Sequence, residues 1–139
     1  MSIIKAIYNY FNDCPILNPE SRINIDYLPD EAREYTIDTV PCNPVIKKYI
    51  DGSSKRRYLF IFASKEIYGD DFVQNADNLA FYEKLCDYIE EQSNAGILPI
   101  LTEGESQRLE VLSSGYAINS EHQVARYQIQ CQLIYLKSK

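Results

Sequence analysis

The stretch Ala125-Arg-Tyr-Gln-Ile-Gln-Cys-Gln-Leu-Ile-Tyr-Leu136 decides the fold. Ala125, Tyr127, Ile129, Cys131, Leu133 and Tyr135 recur at every second position, which in an extended chain places all six on one side. A helix would scatter them, so the segment reads as a long strand with one side turned to a core. The other side opens with Arg126, Gln128, Gln130 and Gln132 and turns apolar at Ile134 and Leu136. Half of that side must meet solvent or a partner.

A strand of this length needs neighbours. Tyr58-Leu-Phe-Ile-Phe-Ala63 is apolar on both faces, the composition of a central strand in a sheet covered on both sides. Val45-Ile-Lys-Lys-Tyr-Ile50 precedes it across the turn-rich Asp51-Gly-Ser-Ser54, and together they predict a β-hairpin. Arg22–Tyr27 alternates polar with apolar, and Tyr35–Val40 has β-favouring composition before Pro41, so both read as strands, as does Leu109–Tyr116.

Two segments have helical spacing instead. Ser2 can cap a helix carrying Ile4, Ile7 and Phe11, which Asp13-Cys14-Pro15 stops. After a loop over Lys65–Gln74, centred on Gly69-Asp70-Asp71, a second helix is expected at 75–94. Its stripe is Ala76, Leu79, Tyr82, Cys86 and Ile89, widened by Leu85; Glu83, Lys84, Asp87, Glu90 and Glu91 occupy the remainder. Gly96 supplies a left-handed cap, with Pro99 beyond. The order α-β-β-β-β-α-β-β predicts an α+β fold, a mostly antiparallel sheet flanked by two main helices, in a single domain spanning 1–139. A chain of 139 residues is too short for two comfortable cores.

Composition narrows the function. With 45% hydrophobic and 24% charged residues the chain can build a core, yet no run approaches the roughly 20 apolar residues of a membrane-spanning helix. Met-Ser-Ile-Ile-Lys-Ala lacks the basic flank and apolar run of a secretory signal, so the protein is expected to stay where it is made. A net charge of −6 opposes tight binding to duplex phosphates. Cys14, Cys42, Cys86 and Cys131 are widely separated and share one histidine, His122, a pattern of buried reduced thiols rather than a zinc site or a disulfide framework.

Chemistry-bearing motifs are missing. The five glycines are scattered at 52, 69, 96, 104 and 115, with no phosphate-binding loop. His122 sits in Ser120-Glu-His-Gln123, a hairpin connection, without a nucleophile beside it. Asp70-Asp71 and Glu103-Gly104-Glu105 lack the alternating oxygen ligands of a calcium loop. The expectation is a protein with no catalytic, cofactor-binding or metal-ligating residues. The candidate interaction site is the basic cluster Lys47, Lys48, Lys55, Arg56 and Arg57, placed at the end of the hairpin. It reads either as an edge-protecting charge group or as a docking finger. Among the tyrosines, Tyr8, Tyr10, Tyr82, Tyr88, Tyr127 and Tyr135 fall on core stripes, though an amphipathic ring also suits an interface.

Four segments carry a resemblance: Tyr35-Thr-Ile-Asp-Thr-Val-Pro-Cys-Asn-Pro44, Arg57-Tyr-Leu-Phe-Ile-Phe-Ala-Ser64, Phe81-Tyr-Glu-Lys-Leu-Cys-Asp-Tyr-Ile-Glu-Glu-Gln92 and Ala125–Tyr135. In overall pattern the chain resembles the minor tail proteins of tail-terminator type from long-tailed bacteriophages and prophages of Gram-positive bacteria. The resemblance implies a non-enzymatic virion subunit, assembled in the bacterial cytoplasm and located in the virion tail. It further implies a homo-oligomeric ring, usually a hexamer, that caps the tail tube and joins it to the head connector, with DNA only passing through the channel. The competing readings are a small cytosolic enzyme or ligand-binding domain with a pocket between sheet and helix, and an adaptor that binds a peptide along an exposed strand.

Overall fold

The computed structural model describes residues 2–19, 21–28, 34–67, 72–121 and 124–138. Its elements are α1 (Ile3–Asn12), β1 (Ile23–Ile25), β2 (Tyr35–Thr39), β3 (Val45–Lys48), β4 (Ser54–Ile67), α2 (Phe72–Asn94), β5 (Gly104–Val111), β6 (Tyr116–Glu121) and β7 (Val124–Lys137). The alternating segment at the C-terminal end is indeed a strand, β7, and it pairs antiparallel with β4 from Ser54↔Lys137 to Ile67↔Val124. Each of these two 14-residue strands carries two shorter ones on its outer edge. β2 and β3 share the outer edge of β4, and β5 and β6 share that of β7. β1 extends the sheet beyond β2 by a parallel pairing, so the α+β sheet has seven strands and is antiparallel elsewhere.

Register fixes the faces. Phe60 pairs with Cys131 and Phe62 with Ile129, so the even positions of β4 and the odd positions of β7 share one side. Both helices lie there. Ser2 caps α1 by accepting from the Lys5 amide at 3.2 Å. Phe11 then stacks on Phe62, ring centroids 4.7 Å apart, and meets Phe60 edge-on at 6.0 Å. α2 contributes Tyr82, Leu85 and Ile89, all fully buried. The Tyr82 ring stacks on Tyr127 at 6.1 Å, and its hydroxyl donates to the Tyr127 carbonyl at 3.1 Å. That proton spent, the Ser64 hydroxyl is the donor in the 2.6 Å contact between Ser64 Oγ and Tyr82 Oη.

The expected sheet differs in four places. β4 begins at Ser54 rather than Tyr58 and ends at Ile67, because pairing with β7 continues through Lys55-Arg56-Arg57 and Lys65-Glu66 whatever their local propensity. The basic triplet is therefore in the strand, not at the hairpin tip. The single strand expected at Leu109–Tyr116 is two, β5 and β6, joined end to end along β7. α2 starts at Phe72, and Ala76 and Leu79 are exposed; among its described side chains the buried ones are Asn78, Tyr82, Leu85 and Ile89. Finally, no described helix covers the second side of the sheet. The expected loop centre, Gly69-Asp70-Asp71, lies outside the described residues.

All four cysteines are free thiols. Cys14 and Cys131 are buried and Cys86 is half-buried, but Cys42 is exposed, against the expectation of four buried thiols. Burial pushes the Cys14 and Cys131 thiols up from their ordinary range. We expect one fast-reacting thiol in the native protein, Cys42, and four after denaturation. Titration with a chromogenic disulfide reagent checks this; rapid reaction of Cys131 without unfolding would contradict the packing described here.

Candidate interaction surfaces

The β3–β4 hairpin closes through residues 49–53. The Ser53 carbonyl accepts from the Tyr49 amide at 2.9 Å, and Asp51 Oδ1 accepts from the Ser53 amide and hydroxyl at 2.9 and 2.6 Å. Those two bonds hold the Asp51 carboxyl below its usual range. Gly52, at φ +94°, takes the left-handed step that a side chain would oppose. Ile50 is fully exposed at the tip, with Ile46 and Tyr49 exposed beside it. Lys47 Nζ lies 5.7 Å from the centre of the Tyr49 ring.

The register divides the basic cluster. Lys47 pairs with Lys55, while Val45 pairs with Arg56 and Lys48 with Ser54, across a bulge between Val45 and Lys47. Lys47, Lys55 and Arg57 therefore belong to the helix-free side, Lys48 and Arg56 to the helix side. Arg57 Nε donates to the Asn43 carbonyl at 3.1 Å, and Arg56 Nε donates to Ser54 Oγ at 2.9 Å. The Arg57 guanidinium braces the hairpin base, that of Arg56 reaches along β4 toward the turn, and the lysines stand closest to the exposed end.

The helix-free side is closed by side chains lying along the sheet. Arg126 donates to Asp38 Oδ2 at 2.6 Å and to Gln128 Oε1 at 2.9 Å; Gln128 Nε2 donates to the Tyr116 hydroxyl at 2.7 Å. Thr36 Oγ1 donates to Asp38 Oδ1 at 2.9 Å. This chain of bonds joins β2, β7 and β6. Arg126 and Asp38 stand on strands either side of β4, where Ala63 is buried between their ladders. That explains how an apolar β4 tolerates a side without a helix. Farther along, Arg57, Ile134 and Arg108 occupy one row across three strands, and Ile134 is buried.

A groove lies on the other edge of the molecule. It measures about 410 Å³ and runs between Glu83, Cys86, Asp87 and Glu90 of α2 and the segment Val111–Gly115 that links β5 to β6. Gly115 lets that segment meet α2, since a β-carbon there would collide with Tyr82. The groove is acidic, and Leu112 is exposed beside it. Burial first, then the charges of Glu90, Asp87 and Glu83, push the Cys86 thiol up to about 11. The sequence displayed the stripe Glu83, Asp87, Glu90 at helical spacing, but not the loop that meets it.

Among the described residues no three His, Cys, Asp or Glu side chains converge as metal ligands, and no helix is long and apolar enough to cross a membrane. His122, like Asp70 and Asp71, lies outside the described residues. Glu103 and Glu105 are exposed beside the start of β5. Two helices on one side of a mostly antiparallel sheet define an α+β class, and comparison with solved structures gives that class an example. A chain of the virion of a native gene transfer agent particle superposes with a TM-score of 0.61, covering 97% of this chain and 95% of that one at 12% identity. At that identity the likeness establishes the fold alone. No family model and no curated protein matches the sequence.

Proposed function

We propose that the chain is a virion structural subunit of tail-terminator type, a ring-forming protein that caps a phage tail tube and joins it to the head connector. The observation that carries the reading is the near end-to-end superposition on a chain of a phage-like particle, 97% against 95% coverage. The sequence resemblance to minor tail proteins points the same way, independently of the superposition. In this reading the protein is not an enzyme; it works by holding neighbours in register, most simply as a hexamer.

The charge distribution suits the role. An acidic subunit, net −6, can line a channel without trapping the phosphates of passing DNA, which a strongly basic lumen would bind in a salt-dependent way. Lys47, Lys48, Lys55, Arg56 and Arg57 then serve protein docking rather than DNA binding. The test is deletion of the coding sequence from the phage or prophage that carries it. Filled heads and uncapped, unjoined tails should accumulate, and supplying the protein in trans should restore joined particles. Normal yields of joined, infectious particles without it would overturn the reading.

A further inference from the structure

Opposite edges of the sheet carry complementary patches. On the β4 edge, the hairpin Val45–Arg57 holds five cations, Lys47, Lys48, Lys55, Arg56 and Arg57, against Asp51 alone, a net +4. On the β7 edge, α2 holds Asp77, Glu83, Asp87, Glu90 and Glu91 against Lys84 alone, a net −4. Each patch has an apolar centre. The hairpin presents the fully exposed Ile50; the groove beside Glu83, Asp87 and Glu90 is lined by half-buried Cys86 and Val111 and exposed Leu112.

We propose that the β3–β4 hairpin of one copy docks in this groove of the next, with Ile50 among Cys86, Val111 and Leu112, the same-side pair Lys47 and Lys55 facing Glu83, Asp87 and Glu90, and Lys48 adding to the positive field from the hairpin's other side. The occupant is a second copy of the chain because the two halves of the contact are both present on it and match in charge. The patches differ, so the contact is head-to-tail; their placement on opposite edges of one sheet lets each copy engage two neighbours at once, and a rotation that closes between successive copies makes the chain of contacts a ring. The Asp51 and Gly52 turn presents Ile50 already ordered, which lowers the entropy lost on docking. This inference rests on the ring reading and names the surfaces that form the ring.

A reciprocal charge exchange tests it. One variant carries Lys47→Glu, Lys48→Glu and Lys55→Glu; the other carries Glu83→Lys, Asp87→Lys and Glu90→Lys. Each alone places like charges at every contact, and association should weaken about 100-fold or more while circular dichroism shows a folded chain. Mixed one to one, every hairpin meets a groove of opposite charge, and the assembly should return with the two variants alternating. Ile50→Asp should weaken assembly in the natural background. If the natural protein assembles and either triple variant assembles equally well alone, or the mixture stays dissociated, the docking is wrong and the ring stands. A natural protein that is monomeric throughout overturns both. Reciprocal dimers in place of rings would keep the docking and overturn the ring.

Discussion

Replacing Tyr82 by alanine should destabilise the protein by about 3–5 kcal/mol, the usual cost of deleting a large buried aromatic side chain. That is a large fraction of the roughly 5–15 kcal/mol that holds most domains folded. Tyr82 joins three elements: its ring stacks on Tyr127 of β7, its hydroxyl bonds to Ser64 of β4 and the Tyr127 carbonyl, and its base is the surface that Gly115 approaches. Tyr82→Phe separates the contributions. It keeps the ring and strips both hydrogen bonds, depriving the buried Ser64 hydroxyl of its acceptor, for about 1–3 kcal/mol. Adding Ser64→Ala to Tyr82→Phe should cost less than the two single changes summed, because they remove the same bond. Urea denaturation of the four variants measures this. Strict additivity would mean that the Ser64–Tyr82 bond contributes nothing.

Phe11→Ala should cost a similar amount, about 3–5 kcal/mol, but its effect should be local first. α1 reaches the sheet through the buried Ala6, Ile7 and Phe11, and Phe11 is the α1 residue whose ring meets Phe60 and Phe62. A helix of ten residues has little stability of its own, so losing its anchor should loosen it before the β4–β7 ladder opens. Hydrogen exchange should show α1 amides exposed in the variant while β4 and β7 stay protected. Lys5→Ala, on the exposed side of the same helix, should stay within about 0.5 kcal/mol of the natural protein. Uniform loss of protection across the sheet in Phe11→Ala would show that α1 is part of the cooperative core instead.

How much of this could be read beforehand varied with the physics of each segment. β7 was legible because one of its sides is buried over most of its length, so strict alternation survived in the sequence. β5 was not, because its first half, Gly104-Glu-Ser-Gln-Arg108, lies on a sheet edge, where little burial demands apolar residues. Lys55-Arg56-Arg57 looked like a tip for the same reason: long-range pairing with β7, not local composition, makes them strand. The basic cluster itself was visible, but its division between two sides depends on the bulge at Val45/Lys47, which no local pattern announces. The stripe of α2 was half right. Tyr82, Leu85 and Ile89 are buried, whereas Leu79 stands exposed because the sheet covers a narrower arc than the apolar residues alone indicate. The acidic groove needed two distant segments brought together and was beyond sequence reading.

The central claim is self-assembly through unlike surfaces into a closed ring, and the absolute mass of the purified chain in solution tests it most directly. Light scattering coupled to size-exclusion chromatography, run over a concentration series, should find a discrete species at a fixed multiple of the 16.1 kDa chain mass, six for a hexamer, that does not grow as concentration rises. A species that remains at 16.1 kDa at every concentration, or one that lengthens without limit, would contradict the account.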